Sequence, residues 1–308
     1  MAGQVSGRGV ARAARAAILA WFDQQGREIA FRGRHDPYGV LVAEVMAQQT
    51  QVSRADEAWR AWMRRFPTVE ALAAAPTSDV IRQWAGLGYN RRAVSLQRAA
   101  RLIVERHGGR VPDGLAELQA LPGVGPYTAR AVAATAFGRP VGAVDTNVRR
   151  VLGRVAGGGV DALSDRELQA LADRVVPPDR AGAWTHALMD LGATVCRPRA
   201  PRCAECPVLA WCRFARRGAS VGEATGSAAR RASTARAFAG GPFPSTSRWL
   251  RGRIVERMRE AGGWLAFDEP IGSHAVPAVH AAIHALAKDG LAEVDATGPG
   301  IRARLPAA

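Results

Sequence analysis

Apolar residues recur every three or four positions in many segments of the chain up to residue 191, a spacing that is typical of amphipathic helices. Pro and Gly mark the breaks between these segments. Helices are predicted over residues 40–50, 55–66, 78–85, 91–107, 115–119, 128–137, 148–155, 165–175 and 182–191. Another helix is expected to begin near Ile18, Leu19, Trp21 and Phe22. Strand patterns are almost absent before residue 260, so the fold class is predicted to be mainly α.

Residues 216–247 differ in composition, because they are rich in Gly, Ala, Ser, Thr and Arg and contain few large apolar side chains. This composition predicts a flexible linker. Behind it, two helical patterns are followed by two short strand patterns, at residues 248–260, 276–288, 291–294 and 301–305. That order predicts a small winged-helix-like α+β module over residues 248–308.

Composition narrows the class of partner. A chain of 308 residues with 48% hydrophobic content can bury a large core and is expected to form more than one domain. The net charge of +15 favours a polyanion, and nucleic acid over an anionic membrane because no basic amphipathic helix stands alone. A solvated basic surface is the alternative. Neither a membrane span of about 20 apolar residues nor a secretory signal is found, so we expect a soluble, cytoplasmic protein with no membrane partner.

The four cysteines of the chain are grouped within seventeen residues. Disulfides among them would leave the rest of a chain of this length without cross-links. One Cys-x2-Cys pair is flanked by two single thiols, an arrangement seen in compact iron–sulfur loops; zinc and unbound thiols are the alternatives. The cysteines are Cys196, Cys203, Cys206 and Cys212, and the arginines between them are Arg197, Arg199 and Arg202. These arginines suggest a phosphate-facing surface.

Glu44 lies within an apolar run, Val-Leu-Val-Ala-Glu-Val-Met-Ala. Burial would raise its pKa and keep the carboxyl group protonated near neutrality, which is what a general acid requires. A polar helix edge, or a structural pair with an Arg, is the alternative interpretation of this residue.

Two further motifs carry candidate chemistry. In Leu-Pro-Gly-Val-Gly-Pro-Tyr-Thr at residues 121–128, Gly123 and Gly125 allow a tight turn whose N–H groups can converge on a phosphate oxygen, the signature of a helix-hairpin-helix. A turn that only connects two helices is the alternative. Asp145 stands where a helix is predicted to begin, so it is expected to be an N-cap, and it could also stabilise a cation developing beside it.

Taken together, the segment Glu44–Val52, the Gly-Leu-Gly-Tyr at residues 86–89, the hairpin, Asp145 and the cysteines resemble the helix-hairpin-helix DNA glycosylases, most closely the MutY-type adenine glycosylases. The resemblance covers about residues 18–214. It implies a 4Fe-4S cluster on the four cysteines. It also implies a two-lobed fold, with residues 1–29 packing on the cluster lobe, a six-helix barrel lobe at 30–140 that includes the hairpin, and a cluster lobe at 141–215.

The resemblance also implies roles for individual residues. Glu44 would protonate the flipped adenine and later assist water attack, and Asp145, oriented by Asn147, would stabilise the sugar cation. Gln48 and Tyr89 would wedge into the base stack of double-stranded DNA. Gln49 belongs to the same DNA-binding segment, and Gly123 and Gly125 would bind a phosphate. The protein is expected to act as a monomer.

The position of Tyr127 carries a Schiff-base lysine in bifunctional relatives, and the only Lys of this chain is Lys288. The resemblance therefore favours monofunctional excision of adenine mispaired with 8-oxoguanine or guanine. Three departures affect the substrate: Ala30-Phe31-Arg32 replaces Pro-Trp-Arg, Asn90 replaces a Tyr, and the C-terminal segment is too short for a Nudix-like domain. A thymine or uracil mismatch glycosylase and a non-enzymatic iron–sulfur DNA-binding regulator are the alternatives.

Overall fold

The computed structural model describes residues 10–33, 36–218, 243–298 and 300–307. Its fold is mainly helical, as the hydrophobic pattern predicts. The helices up to the cysteines are α1 (Arg12–Gln25), α2 (Pro37–Ala47), α3 (Val52–Arg65), α4 (Val69–Ala74), α5 (Thr77–Gln83), α6 (Arg91–His107), α7 (Leu115–Ala120), α8 (Pro126–Ala136), α9 (Thr146–Leu152), α10 (Asp165–Val175) and α11 (Ala181–Asp190). They are followed by α12 (Arg213–Arg216), α13 (Ser247–Ala261) and α14 (Val276–Lys288).

Several helix ends coincide with the predicted ones because local chemistry sets them. α6 ends at Gly108, whose φ of 56° is left-handed and suits a glycine. α10 begins with a capping box in which Ser164 and Glu167 each satisfy the other's backbone N–H. α14 begins at Val276 with Pro277 in its first turn, where the missing N–H of proline costs nothing.

Other boundaries differ from the prediction. α2 ends at Ala47 and not at Thr50, because Gln49 has a left-handed φ of 54°. The guanidinium of Arg92 donates hydrogen bonds to the carbonyl oxygens of Val45, Met46 and Gln48 at the end of α2. These bonds take the place of those that a longer helix would make. The short helix α4 was not predicted. α9 passes into a π-helical turn at Gly153–Gly157, and α11 into another at Leu191–Val195.

The chain divides into two compact units. Unit 1 consists of Met1–Glu44, Asp113–Gln119 and Val124–Ala232, and unit 2 of Val45–Pro112, Ala120–Gly123 and Ser233–Ala308. In unit 1, α11 packs against α1, α8 and α9, and the buried core includes Ile18, Val148, Leu168, Trp184 and Leu188. In unit 2, Trp62 makes edge contacts with the rings of Phe66 and Trp84.

The C-terminal module contains a three-stranded antiparallel sheet formed by β1 (Leu265–Ala266), β2 (Glu293–Asp295) and β3 (Arg302–Arg304), in the order β1-β3-β2. Ala303 pairs with both Leu265 and Val294. Only β2 and β3 were predicted, because two residues of β1 are too few to show an alternating pattern. With α13 and α14, this sheet completes a winged-helix-like arrangement.

This module packs against α5 and α6 within unit 2. Ile81 and Val94 join the apolar core of the module, which includes Ile254, Val255 and Met258. Two hydrogen bonds from Arg259 reinforce the contact, from Nε to the carbonyl of Ile81 at 3.1 Å and from Nη2 to Oδ1 of Asn90 at 2.9 Å.

Most of the predicted linker lies outside the described residues, at positions 219–242. At its edges, residue 216 ends α12 and residues 243–245 form a short 3₁₀ turn before α13. Within the described part of the chain, no helix is both long and apolar enough to span a membrane.

Candidate functional site

Glu44 is the last residue of unit 1 along α2; its side chain is partly exposed, and protein atoms surround most of its carboxyl group. Desolvation raises the pKa of Glu44 to about 7, and the negative charge of Asp145 adds to the increase. A hydrogen bond from Tyr127 and the positive charge of Arg32 act in the opposite direction. The carboxyl group therefore exchanges a proton near neutral pH, as the sequence predicts for a general acid.

Tyr127 lies in the first turn of α8, so the Pro-Tyr that follows the hairpin aims the phenol at Glu44. Burial and the charges of Glu44 and Asp145 raise the pKa of Tyr127 well above its ordinary value, so the phenol stays neutral and can donate. Its hydroxyl group also lies 3.9 Å from Sδ of Met189 on α11. At the position where bifunctional glycosylases are expected to carry a lysine, this chain therefore has a phenol, which donates a hydrogen bond but cannot form an imine.

Asp145 is the N-cap of α9, as the sequence predicts. Its Oδ1 accepts a hydrogen bond of 2.7 Å from the backbone N–H of Val148, and its Oδ2 accepts one of 2.8 Å from Nδ2 of Asn147. Both oxygens are thus held in fixed directions. Glu44, Tyr127, Asp145 and Asn147, all identified from the sequence, are brought into one cluster within unit 1.

Arg150 completes this cluster and was not identified as a site residue from the sequence. Its Nη2 donates to Oδ1 of Asn147 at 2.6 Å and to the carbonyl of Gly192 at 2.7 Å, and its Nε donates to the carbonyl of Cys196 at 2.7 Å. The backbone of the cysteine loop is therefore linked through Arg150 and Asn147 to Asp145. The only sequence signal for Arg150 is its spacing: it lies one helical turn after Asn147, so the two side chains are expected to be neighbours on α9.

A second cluster of polar side chains, which was not identified from the sequence, surrounds the fully buried carboxylate of Asp190. Its oxygens accept hydrogen bonds from the side chains of Arg27, at 2.8 and 2.6 Å, and Arg32, at 2.7 Å twice. Burial and the positive charge of Arg32 lower the pKa of nearby His186 to about 3, so its imidazole is neutral at physiological pH. Arg32 is thus held by Asp190 while its charge also acts on Glu44.

The four thiols line one small cavity whose other walls are mainly apolar, including Val151, Leu191 and Val208. Arg154 donates to Sγ of Cys196 at 3.2 Å and to the carbonyls of Arg197 and Pro198 at 2.9 and 3.0 Å. Across the described residues, no three His, Cys, Asp or Glu side chains converge closely enough for a single metal ion. A cubane cluster binds each thiolate through a different iron, so thiols that surround a cavity fit it.

Three arginines of this loop were expected to face phosphates. Arg199 and Arg202 are exposed and Arg197 is partly buried. Nε of Arg197 donates to the carbonyl of Ala200 at 3.2 Å, which closes a tight turn. Arg202 pairs with Glu205 at 3.4 Å, and both side chains are more than half exposed, so this pair contributes little to stability. The loop presents its charge to solvent.

The predicted wedge residues lie in unit 2. Gln48, Tyr89 and Gly123 line one open groove, whereas Gln49 is exposed outside it. Tyr89 has a left-handed φ of 45°, which is unusual for an aromatic residue, and its side chain is 41% exposed. Backbone strain of this kind is retained where the surroundings enforce it. Here Arg92 donates to the carbonyls of Leu87 and Gly88 and lies 5.7 Å from the ring centroid of Tyr89.

The hairpin turn has the geometry that its glycines predict. Gly123 has a φ of 83°, and a Cβ atom there would lie 2.9 Å from Cβ of Ser95, so both conformation and space require glycine. Gly125 is the N-cap of α8, is exposed, and has nothing within 4 Å of a Cβ position. The backbone is open to a ligand at this helix start.

Comparison with known proteins defines the class. Residues 42–178 match the HhH-GPD superfamily of base excision DNA repair proteins. Among solved structures, a thermostable thymine-DNA glycosylase superposes with a TM-score of 0.62 and 30% identity over 66% of this chain and 95% of that chain. A non-covalent endonuclease III–DNA complex superposes with a TM-score of 0.58 and 26% identity over 67% of this chain and 95% of that one.

Among curated proteins, the adenine DNA glycosylase of Mycolicibacterium smegmatis is 41% identical over 79% of this chain and 80% of its own length. The adenine DNA glycosylase of Mycobacterium tuberculosis is 42% identical over 79% of this chain and 78% of its own length. The human adenine DNA glycosylase is 44% identical over 66% of this chain, which spans 39% of the human protein. The chain belongs to the MutY-type adenine DNA glycosylase family.

Proposed function

We propose that this protein is a monofunctional DNA glycosylase that hydrolyses the N-glycosidic bond of adenine mispaired with 8-oxoguanine or guanine in double-stranded DNA. The observation that carries the proposal is the carboxyl group of Glu44, which has a pKa of about 7 and lies with Tyr127 and Asp145 in one cluster. The activity given in the names of the mycobacterial and human relatives supports adenine as the excised base.

In the proposed reaction, protonated Glu44 transfers its proton to the imidazole ring of the flipped adenine. The electron pair of the glycosidic bond then leaves with the base, and the sugar becomes an oxocarbenium-like cation. Asp145, whose oxygens are fixed by Val148 and Asn147, supplies the negative charge that stabilises this cation. A water molecule attacks the sugar and gives its proton to the Glu44 carboxylate, which restores the acid.

Tyr127 supports the absence of lyase chemistry. A lyase of the endonuclease III type needs an amine to form a covalent imine, whereas Tyr127 offers a neutral phenol bonded to Glu44. No lysine precedes Lys288 in the sequence. The product would be an abasic site in an intact strand.

Double-stranded DNA is the proposed partner. Tyr89, with Gln48, would fill the space left by the flipped adenine and offset the few kcal/mol of lost stacking. The open backbone at Gly123 and Gly125 would accept a phosphate oxygen, and the exposed arginines of the cysteine loop would contact others.

We further propose that Cys196, Cys203, Cys206 and Cys212 hold a 4Fe-4S cluster. The common cavity, its apolar walls and the four thiols support this assignment. When bound, the cluster would supply four iron–thiolate bonds that fix the loop. Through the carbonyl of Cys196, Arg150 and Asn147, a fixed loop would also hold Asp145 in place.

The test is a single-turnover assay on duplexes that carry adenine opposite 8-oxoguanine, adenine opposite guanine, or thymine or uracil opposite guanine, with alkali used to cleave abasic sites. Alkali-dependent cleavage at adenine is expected, and Glu44→Gln should abolish it. Cleavage only at the pyrimidine would assign the enzyme to the mismatch class, and no base release at all would favour a DNA-binding regulator. Strand breaks without alkali would refute the monofunctional assignment.

A further inference from the structure

The groove of unit 2 has one wall that belongs to the C-terminal module. Its lining includes Gln48, Tyr89 and Gly123, and also Arg248, Gly252 and Arg253 of α13. Its volume is ≈ 950 Å³, which lies at the upper end of the range of about 300–1,000 Å³ that is usual for ligand pockets. The groove is open to solvent, so a segment of a polymer can enter it from the surface.

α13 contributes four arginines and one carboxylate to the lining of this groove: Arg248, Arg251, Arg253, Arg259 and Glu256. Arg251 pairs with Asp289, and Arg253 pairs with Glu256 at 2.5 Å, so two of the groove arginines have carboxylate partners. Arg248 makes no ion pair with a carboxylate in the part of the chain that the structure describes. It is exposed, and its guanidinium is available to an anion.

Arg248 instead lies between two exposed aromatic rings. Its guanidinium carbon is 4.1 Å from the ring centroid of Tyr89 and 5.9 Å from that of Phe243, which is 59% exposed. Interleaved aromatic and basic groups are typical of surfaces that stack nucleic-acid bases and bind their phosphates. The contact also joins the C-terminal module directly to the predicted wedge residue.

Gly252 opens the same face of α13, because it lies one turn after Arg248. Nothing lies within 4 Å of a Cβ position there, so packing within the protein does not require glycine. Glycine is disfavoured inside a helix relative to alanine, and its use is explained where a ligand backbone approaches closely. By contrast, α14, which would be the recognition helix of a winged helix, contains no Arg, Asn or Gln. Base reading in the major groove by α14 is thus not supported.

From these observations we propose that the C-terminal module is a second DNA-binding element, which holds the sugar–phosphate backbone of the duplex against α13 through Arg248, with Gly252 as the point of closest approach. The exposed side chain of Phe243 lies beside Arg248 and can contact a base of the bound DNA. The inference rests on the proposed function only in taking DNA as the ligand, and it does not depend on which base is excised.

The test measures DNA affinity of the full-length protein as a function of salt, using fluorescently labelled undamaged duplex and a duplex with adenine opposite 8-oxoguanine. Arg248→Ala is expected to weaken binding to both by about 5- to 10-fold and to reduce the slope of log affinity against log salt by about 1. Arg257→Ala is the matched control, since Arg257 is exposed on the same helix but does not line the groove. It should leave affinity and slope unchanged.

Gly252→Glu adds bulk and negative charge at the proposed contact while favouring the helix, so it should weaken binding at least as much as Arg248→Ala without lowering the melting temperature. Wild-type affinity and slope for both Arg248→Ala and Gly252→Glu would overturn the proposal, as would equal losses for Arg257→Ala. If the Arg248 effect is found in a protein that releases no base, the proposed function fails and the groove assignment stands. If adenine is released normally and Arg248→Ala has no effect on DNA binding, the proposed function stands and the groove assignment fails.

Discussion

Nδ2 of Asn147 donates a hydrogen bond to Oδ2 of Asp145 at 2.8 Å, while Oδ1 of the same Asn147 side chain accepts from Arg150 at 2.6 Å. The amide therefore cannot rotate without losing one of two charge-assisted bonds. Because Arg150 also holds the carbonyl of Cys196, the direction of the Asp145 carboxylate depends on the cysteine loop.

Asn147→Ala should slow base excision by about 10- to 100-fold, since a hydrogen bond to a charged group contributes about 1.5–3 kcal/mol. The measurement is the single-turnover rate constant at saturating enzyme. The dissociation constant for the mismatched duplex should change little, because Asn147 faces Asp145 within unit 1. A loss of affinity as large as the loss of rate would contradict the positioning role.

The pH dependence of base excision should follow Glu44. The rate is expected to fall as pH rises through about 7, because only the protonated carboxyl group can donate. Tyr127→Phe removes a hydrogen bond that lowers the pKa of Glu44, so the falling limb should move to higher pH. Asp145→Asn removes a charge that raises this pKa, so in the residual activity the limb should move to lower pH. Shifts in the same direction for both variants would show that another group controls the profile.

Glu44 should also make stability depend on pH. Its pKa is about 7 in the folded protein, against 4.5 for the same side chain in water. Between pH 4.5 and pH 7 the native state therefore binds more protons at this site than the unfolded state does. The free energy of unfolding therefore falls as pH rises from about 4.5 to 7. Glu44→Gln removes this loss and should stabilise the protein above pH 7, by on the order of 3 kcal/mol, but not below pH 4. Chemical denaturation at pH 4 and pH 8 measures the difference.

Removal of a cluster ligand should affect the fold before the chemistry. Cys206→Ser is expected to lose iron and acid-labile sulfide in equal amounts, and to lower the melting temperature, because the cysteine loop and the contacts of Arg150 lose their anchor. Arg199→Ala, an exposed substitution in the same loop, is the matched control and should retain both metal and melting temperature. Zinc without sulfide in the wild-type protein would refute the cluster assignment.

Local sequence signals predicted much of the helical framework. Residues 91–107, 165–175 and 276–288 form helices with the predicted ends, because a left-handed glycine, a capping box and an early proline act on their nearest neighbours. The position of Asp145 as an N-cap was predictable for the same reason. The end of α2 was not, because it depends on Arg92, a residue more than forty positions away.

Some residues of the candidate site could be identified from the sequence, and others only from the structure. Glu44, Asp145 and the cysteines could be found by residue type and spacing, and Tyr127 and Asn147 through the resemblance to the adenine glycosylases. Arg150, Arg32 and Asp190 could not, because their roles come from contacts across long separations, 42 residues from Arg150 to Gly192 and 158 from Arg32 to Asp190. The catalytic, DNA-binding and cluster-binding roles of the site residues stay predictions. So do the base opposite the adenine, the monomeric state, the cytoplasmic location and the lobe boundaries.

The sequence by itself determined the helical fold class, the four-thiol motif and the presence of two carboxylates, since these depend on periodicity, spacing and residue type. The sequence predicted a raised pKa for Glu44, but tertiary structure alone decided that Tyr127, Asp145 and Arg32 act on it. Tertiary structure alone also placed Arg248 of the C-terminal module against the ring of Tyr89. The physical reason is common to both. Desolvation and ring contacts depend on which distant segments pack together, and no local pattern of residues contains that information.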